Sequence, residues 1–203
     1  MTKTKEKFMD EETTRRRRIL VIGTGAAGLL AGLGASVPLI SSMAPSAKAR
    51  AAGAPVEVEL TGLEPGMMIT VEWRGKPVWV LHRTQSMLAS LPEIISKVQD
   101  PTSKVPMQPK YAMNEHRSIK AKYLVLVGIC THLGCSPTQK LEIGAAAGMG
   151  DDWKGGFFCP CHGSKFDLAG RVYKGVPAPV NLEVPPHMYL SDDSLLIGEE
   201  KKA

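Results

Sequence analysis

The chain has 203 residues, 22% of them charged and 5% aromatic, with 20 Gly, 15 Pro and four Cys; this suits one domain plus an appendage and has too much glycine and proline for a helical bundle. Its formal charge of +5 divides unevenly: residues 1–18 hold seven basic against four acidic side chains, residues 19–47 none, and the remainder 18 against 16. No basic face of the kind nucleic acid requires is left, so no nucleic-acid partner is expected.

Residues 1–18 read as a cytoplasmic N-terminus, in which Thr13-Thr14-Arg15-Arg16-Arg17-Arg18-Ile19-Leu20 resembles a twin-arginine signal, the bacterial address of proteins exported already folded. Residues 19–43 are uncharged, and as a helix of about 37 Å they exceed a hydrocarbon core of about 30 Å, which predicts one transmembrane helix. Four arginines before the span and nothing comparable after it put the N-terminus in the cytoplasm and the remainder in the periplasm of a bacterial inner membrane. Gly23-x-Gly25-x-x-Gly28 is a literal dinucleotide-binding fingerprint, but the first acid after Gly28 is Glu57, too distant for a ribose ligand expected about 20 residues on. The glycines instead read as small residues that let helices approach, with Gly28-x-x-x-Gly32 as a contact face. Ala47-Lys48-Ala49 has the form of a signal-peptide cleavage site, yet the apolar stretch is longer than the usual about 7–15 residues, which favours an uncleaved anchor. Residues 44–55, small and proline-containing, read as a flexible hinge.

Residues 56–203 change to short alternating runs, the pattern of an all-β domain. Val56 to Leu60 alternates, and Ile69 to Trp73 with Pro77 to Leu81 around Arg74-Gly75-Lys76 predicts a hairpin. Met87 to Val98 has weak helical spacing with Pro92 as its start, and Pro101 to Pro109 reads as a loop. Tyr123 to Val127 is a nearly continuous apolar run, as in a strand buried on both faces, and Gly156 to Phe158, Leu182 to Val184 and Ser194 to Ile197 add short strands.

All four cysteines lie in two short boxes, Cys130-Thr131-His132-Leu133-Gly134-Cys135 and Cys159-Pro160-Cys161-His162-Gly163-Ser164, each containing a His. That grouping predicts a metal or redox site. Tetrahedral zinc is one option, but zinc fingers usually take two Cys from one box and two His from the other. Here each box offers both, with two cysteines left over.

The two boxes resemble those of the Rieske iron-sulfur protein of the quinol:cytochrome c oxidoreductase (cytochrome bc1) family. The likeness extends to the twin-arginine anchor, the hinge, the Trp73-Arg74-Gly75-Lys76-Pro77 hairpin and Gly175-Val176-Pro177-Ala178-Pro179, which resembles the family's proline loop. It implies an all-β Rieske-type head of antiparallel sheets, with a cluster-binding subdomain at about residues 124–180, tethered to one N-terminal transmembrane helix. It also implies one [2Fe-2S] cluster on Cys130, His132, Cys159 and His162, a Cys135 to Cys161 disulfide, and Ser164 as a donor to a bridging sulfide. Two neutral imidazoles in place of two thiolates leave the oxidised cluster about neutral, which raises its potential from roughly −400 mV toward about −150 to +300 mV. A centre in that range can oxidise a quinol, and a disulfide suits an oxidising compartment.

By the same resemblance His162 hydrogen-bonds the quinol with His132 beside it, both as catalytic groups, Leu133 and Gly134 form the docking tip, and Pro177 and Pro179 cover the cluster. The partners implied are cytochrome b, cytochrome c1, a quinol such as ubiquinol, the membrane and a dimeric complex coupled to proton translocation. The chain departs from the family in two places. Phe166 stands where many members have a tyrosine that donates to a ligand sulfur, which predicts a lower potential, and 26 residues separate His132 from Cys159, longer than in many members. The extra stretch at residues 143–155 reads as a surface loop. His82, His116 and His187 lie outside ligand-like spacing and read as structural or exposed. Other readings are the Rieske subunit of another exported redox enzyme such as arsenite oxidase, a soluble Rieske ferredoxin or a structural zinc module; the hinge, anchor and proline loop favour the bc1 family.

Overall fold

The structure, a computed structural model, describes residues 2–47, 49 and 53–200, with side chains from residue 11 onward. Residues 48 and 50–52 of the expected hinge, and with them the middle of the Ala47-Lys48-Ala49 motif, lie outside the described residues. The chain divides into two compact units, 1–48 and 49–203.

The first unit is one helix, α1 (Thr2–Ser42), of 41 residues. It begins well before the predicted span, because the Lys, Glu and Arg of residues 2–18 are good helix formers and Arg16 pairs with Glu12 one turn away (2.9 Å). From Ile19 to Ile40 its large apolar side chains are exposed all round, which in a helix that buries nothing in protein is the pattern of a membrane span. The span's own hydroxyls are satisfied within it: Thr24 donates to the Leu20 carbonyl, Ser36 to Leu33, and Ser41 to Pro38. No bare hydroxyl would then meet lipid.

The second unit is mostly sheet. Its strands are β1 (Val56–Glu59), β2 (Met68–Trp73), β3 (Lys76–His82), β4 (Tyr123–Val127), β5 (Thr138–Lys140), β6 (Gly156–Phe158), β7 (Lys165–Phe166), β8 (His187–Tyr189) and β9 (Ser194–Ile197). They pair antiparallel as three three-stranded sheets in the orders β1-β9-β8, β2-β3-β4 and β5-β6-β7. The second sheet is the middle layer. In β4, Leu124 and Leu126 join the core that holds Cys130 and Cys159, while Tyr123, Val125 and Val127 join a second core with Val58, Leu195 and Ile197 of the first sheet. Strand β3 divides in the same way, Trp79 and Leu81 to one side, Val78 and Val80 to the other. Burial on both faces is the reason these strands lack polar alternation, and each such side chain contributes about 1.5–3 kcal/mol.

Two expectations are corrected and a third is refined. The helix after β3 is α2 (Gln85–Glu93); Thr84 caps it by accepting from the Met87 N–H (3.2 Å), and Pro92 lies in its last turn rather than at its start. Leu182 to Val184 is buried but is not a strand. Its bonds go singly to three separate segments, from Leu182 N to Gly170 O, from Val184 N to Met107 O and from Val127 N to Glu183 O, and Pro185-Pro186 then denies it donors. The stretch between the boxes closes the β5–β6 hairpin and lies mostly at the surface, as expected, but one side chain anchors it: Trp153 is buried, donates to the Lys140 carbonyl (2.8 Å) and stacks on Tyr173.

Candidate metal centre

The two boxes fold as near copies. In the first, the Cys130 N–H donates to the Cys135 carbonyl (2.7 Å) and the Gly134 N–H to the Cys130 carbonyl (3.1 Å). In the second, the Cys159 N–H donates to the Ser164 carbonyl (2.8 Å) and the Gly163 N–H to the Cys159 carbonyl (2.9 Å). Each loop turns back through a glycine at its fifth position, with φ of 82° at Gly134 and 79° at Gly163. Only glycine takes that conformation freely, so the boxes need Gly there for backbone reasons alone.

β4 delivers the first loop and β6 the second, and both cysteines at the loop starts are buried free thiols. The loops face each other. The His132 and His162 rings stand edge to face with centroids 4.8 Å apart, and Cys135 and Cys161 are joined as a disulfide. The Sγ atoms of Cys135, Cys159 and Cys161 lie within 4.8 Å of one another, but the disulfide leaves only Cys159 of that trio as a ligand. Its companion is Cys130, the other buried free thiol, whose titration both Cys159 and Ser164 influence. Burial pushes the Cys130 thiol up, and Cys159 adds to the rise against the opposing hydrogen bonds from the His132 backbone and Ser164. Two adjacent buried thiolates are unfavourable without a cation between them, so the buried thiols Cys130 and Cys159, on loops whose histidine rings meet, suit a cationic iron centre.

A third loop braces the pair. The Ala178 N–H donates to Ser164 Oγ (3.1 Å), and Thr131 Oγ1 donates to the Val180 carbonyl (2.7 Å). The Gly175–Pro179 segment is thus tied to the second box through Ala178 and to the first through Val180, the residue after it, with Ala178 buried and Pro177 and Pro179 exposed. Exposure rises toward the tip: His132 is half-buried, His162 and Gly134 are exposed, and Leu133 is 71% exposed. An apolar side chain so placed offers contact area to a partner.

The remaining histidines are held by backbone or by their neighbours. His82 Nδ1 donates to the Leu63 carbonyl (2.6 Å) and His187 Nδ1 to that of Pro185 (2.8 Å), while His116 lies beside Glu115. Phe166 is fully buried in the core that contains Cys130 and Cys159. Sequence reasoning missed the Thr131 anchor, for which a lone threonine gives no signal, and a buried cluster of Arg83, Arg117, Arg171 and Asp167. These four are scattered in sequence and carry no pattern that would group them.

Comparison with known proteins gives two family models. One, described as "Rieske [2Fe-2S] domain", matches residues 96–186, and the other, "Ubiquitinol-cytochrome C reductase Fe-S subunit TAT signal", matches residues 8–46. The ubiquinol-cytochrome c reductase iron-sulfur subunit of Allochromatium vinosum is 59% identical over 186 residues, 92% of this chain and 89% of that protein. Its counterpart in Bradyrhizobium diazoefficiens is 42% identical over 90% of this chain and 94% of that protein. The mitochondrial cytochrome b-c1 complex subunit Rieske of Candida albicans is 39% identical over 86% of this chain and 73% of that protein.

Proposed function

The chain belongs to the Rieske iron-sulfur subunits of ubiquinol-cytochrome c reductase, the cytochrome bc1 complex, and on that premise we propose what its residues do. The subunit takes electrons from quinol at the cytochrome b site and passes them to cytochrome c1, coupled to proton translocation in a dimeric complex. Cys130, His132, Cys159 and His162 would hold one [2Fe-2S] cluster. When bound, the cluster supplies one-electron chemistry at a potential raised by its two neutral ligands. The Cys135–Cys161 disulfide keeps the two ligand loops in register, and the Gly175–Pro179 loop, with Pro177 and Pro179, shields them from water. Ser164 accepts from Ala178 and donates toward the sulfur atoms of the site.

His162, the exposed histidine, receives the quinol hydroxyl's hydrogen bond and then its proton at the ring nitrogen that metal ligation leaves free, with His132 beside it. Leu133 and Gly134 dock the tip against cytochrome b and then cytochrome c1. We place residues 1–18 in the cytoplasm, 19–43 across the bacterial inner membrane, 44–55 as a hinge and 56–203 in the periplasm, an arrangement supported by the arginine run and the small residues of the hinge. The observation that carries this reading is the meeting of two matched Cys-His loops, their rings 4.8 Å apart, at an exposed apolar tip. Detergent extraction of native membranes followed by capture of this chain tests it. Haems b and c1 and ubiquinol-dependent cytochrome c reduction should be recovered with it. Capture of a cluster-bearing chain without either cytochrome overturns the assignment.

A further inference from the structure

Among the described residues of the head, the fully buried charged groups are Arg83 (2% exposed), Arg117 (0%), Arg171 (1%) and Asp167 (0%). Asp167 Oδ2 accepts from Arg171 Nε (2.6 Å), while its Oδ1 accepts the Ala169 and Arg171 N–H groups. This carboxylate is therefore committed to Arg171 and to its own turn. Arg83 ends on the carbonyls of Ala121, His116 and Leu168 and on the Ser118 hydroxyl. Arg117 ends on the carbonyls of Ala169, Gly170 and Leu182 and on Gln108 Oε1. Asp100, a further acid acting on Arg117, is only half-buried, and its two oxygens accept from Lys104 N and Val105 N. The buried set thus holds three positive charges and one negative.

Burial lowers Arg83 and Arg117 to about 10, which leaves both charged at neutral pH. Arg117 also holds a left-handed backbone, φ 48°, uncommon for a residue with a side chain. The carbonyls these two arginines grip, at residues 168–170, belong to the turn that begins three residues after Ser164. Leu168, Ala169 and Leu182 pack in one apolar core with Cys130 and Cys159. The guanidinium groups and the two cysteines are all buried, joined through residues of one core rather than through water, and buried charges are weakly screened. Uncompensated buried charge is costly, so its retention calls for a use.

We propose that Arg83 and Arg117, with the Arg171–Asp167 pair, form a fixed positive charge behind the ligand loops that raises the reduction potential of the [2Fe-2S] centre. Reduction adds one negative charge to that centre, and buried positive charge favours the more negative state. The effect opposes the loss of a hydroxyl donor at Phe166. The inference rests on the ligand set assigned above.

The test is a spectroscopic redox titration of the full-length, cluster-bearing protein in detergent, as wild type and as Arg117→Met, Arg117→Lys and Asp167→Asn, with thermal unfolding measured on each. Arg117→Met should lower the reduced-to-oxidised ratio at a fixed potential about tenfold, a fall of about 59 mV for one electron. Asp167→Asn should move the midpoint upward, and Arg117→Lys should stay within about threefold of wild type in that ratio. Structural damage alone moves the Met and Asn variants in the same direction, so a shared direction overturns the proposal. If Arg117→Met does not fold, Asp167→Asn decides, and a midpoint at or below wild type refutes it. A wild-type chain without the [2Fe-2S] spectrum refutes the ligand assignment instead, and with it the basis of this inference.

Discussion

Removing the bridge between the ligand loops should destabilise the head by an amount the chain itself sets. Cys135 and Cys161 are 26 residues apart in sequence. Closing a loop of that length removes about 12 cal/mol/K of entropy from the unfolded chain, or about 3.5 kcal/mol at 25 °C. Cys161 is exposed and Cys135 half-buried, so serine leaves little cavity and the chain-entropy contribution dominates. Urea unfolding of the cluster-free chain is the assay, because cluster loss makes unfolding of the loaded protein irreversible. With a slope of about 2 kcal/mol/M, the midpoint of Cys135→Ser/Cys161→Ser should fall by about 1.7 M. Either single serine variant should lose as much as the double, since one change already breaks the bond, and a reductant should shift wild type equally. A double variant that costs less than about 1 kcal/mol, or singles whose costs add, would refute the reasoning.

Three further outcomes follow from particular contacts. Burial holds His187 below its ordinary value, against the bond to Pro185. As pH falls through about 6.5 the unfolded chain therefore binds a proton that the folded head does not, and stability drops until the folded group protonates too. His187→Gln should flatten that slope in unfolding measured from pH 8 to 5, and an unchanged slope would contradict the assignment; His116, lowered by burial and by Arg83, contributes with the same sign. A Cβ at Gly156 would overlap the Phe166 carbonyl oxygen where β6 meets β7, so Gly156→Ala should cost about 3 kcal/mol or more and lower cluster content by iron and sulfide analysis. Retention of full content with native stability would show that the strands can part there. Phe166→Tyr should raise the midpoint by an amount near the about 59 mV that a tenfold change represents, because a buried hydroxyl in this core seeks a sulfur acceptor. An unchanged or lower midpoint would count against a missing donor.

The meeting of the two Cys-His boxes was legible because chemistry confines cysteine and histidine to few positions, and here every cysteine fell within two boxes. β4 was legible because burial on both faces writes a continuous apolar run. β8 was not: His187, Met188 and Tyr189 carry no alternation, and the strand exists through its pairing with β9. Leu182 to Val184 misled because burial without ladder partners leaves the same apolar signature as a strand. The buried arginines were hidden for a different reason. A lone Arg83 or Arg117 reads as surface charge, and only the folded chain brings the carbonyls of residues 168–170 to them. The loop between the boxes was readable as an insertion, but its anchoring by Trp153 on Tyr173 depends on a contact distant in sequence.

The most direct test of the account is pulsed electron paramagnetic resonance of the reduced full-length protein with 15N-labelled histidine. Two imidazole nitrogens should couple to the spin, one lost on replacing His132 and the other on replacing His162, with the signal abolished by serine at Cys130 or Cys159. A reduced cluster with no coupled histidine nitrogen, or one that survives loss of Cys130 or Cys159, would contradict it.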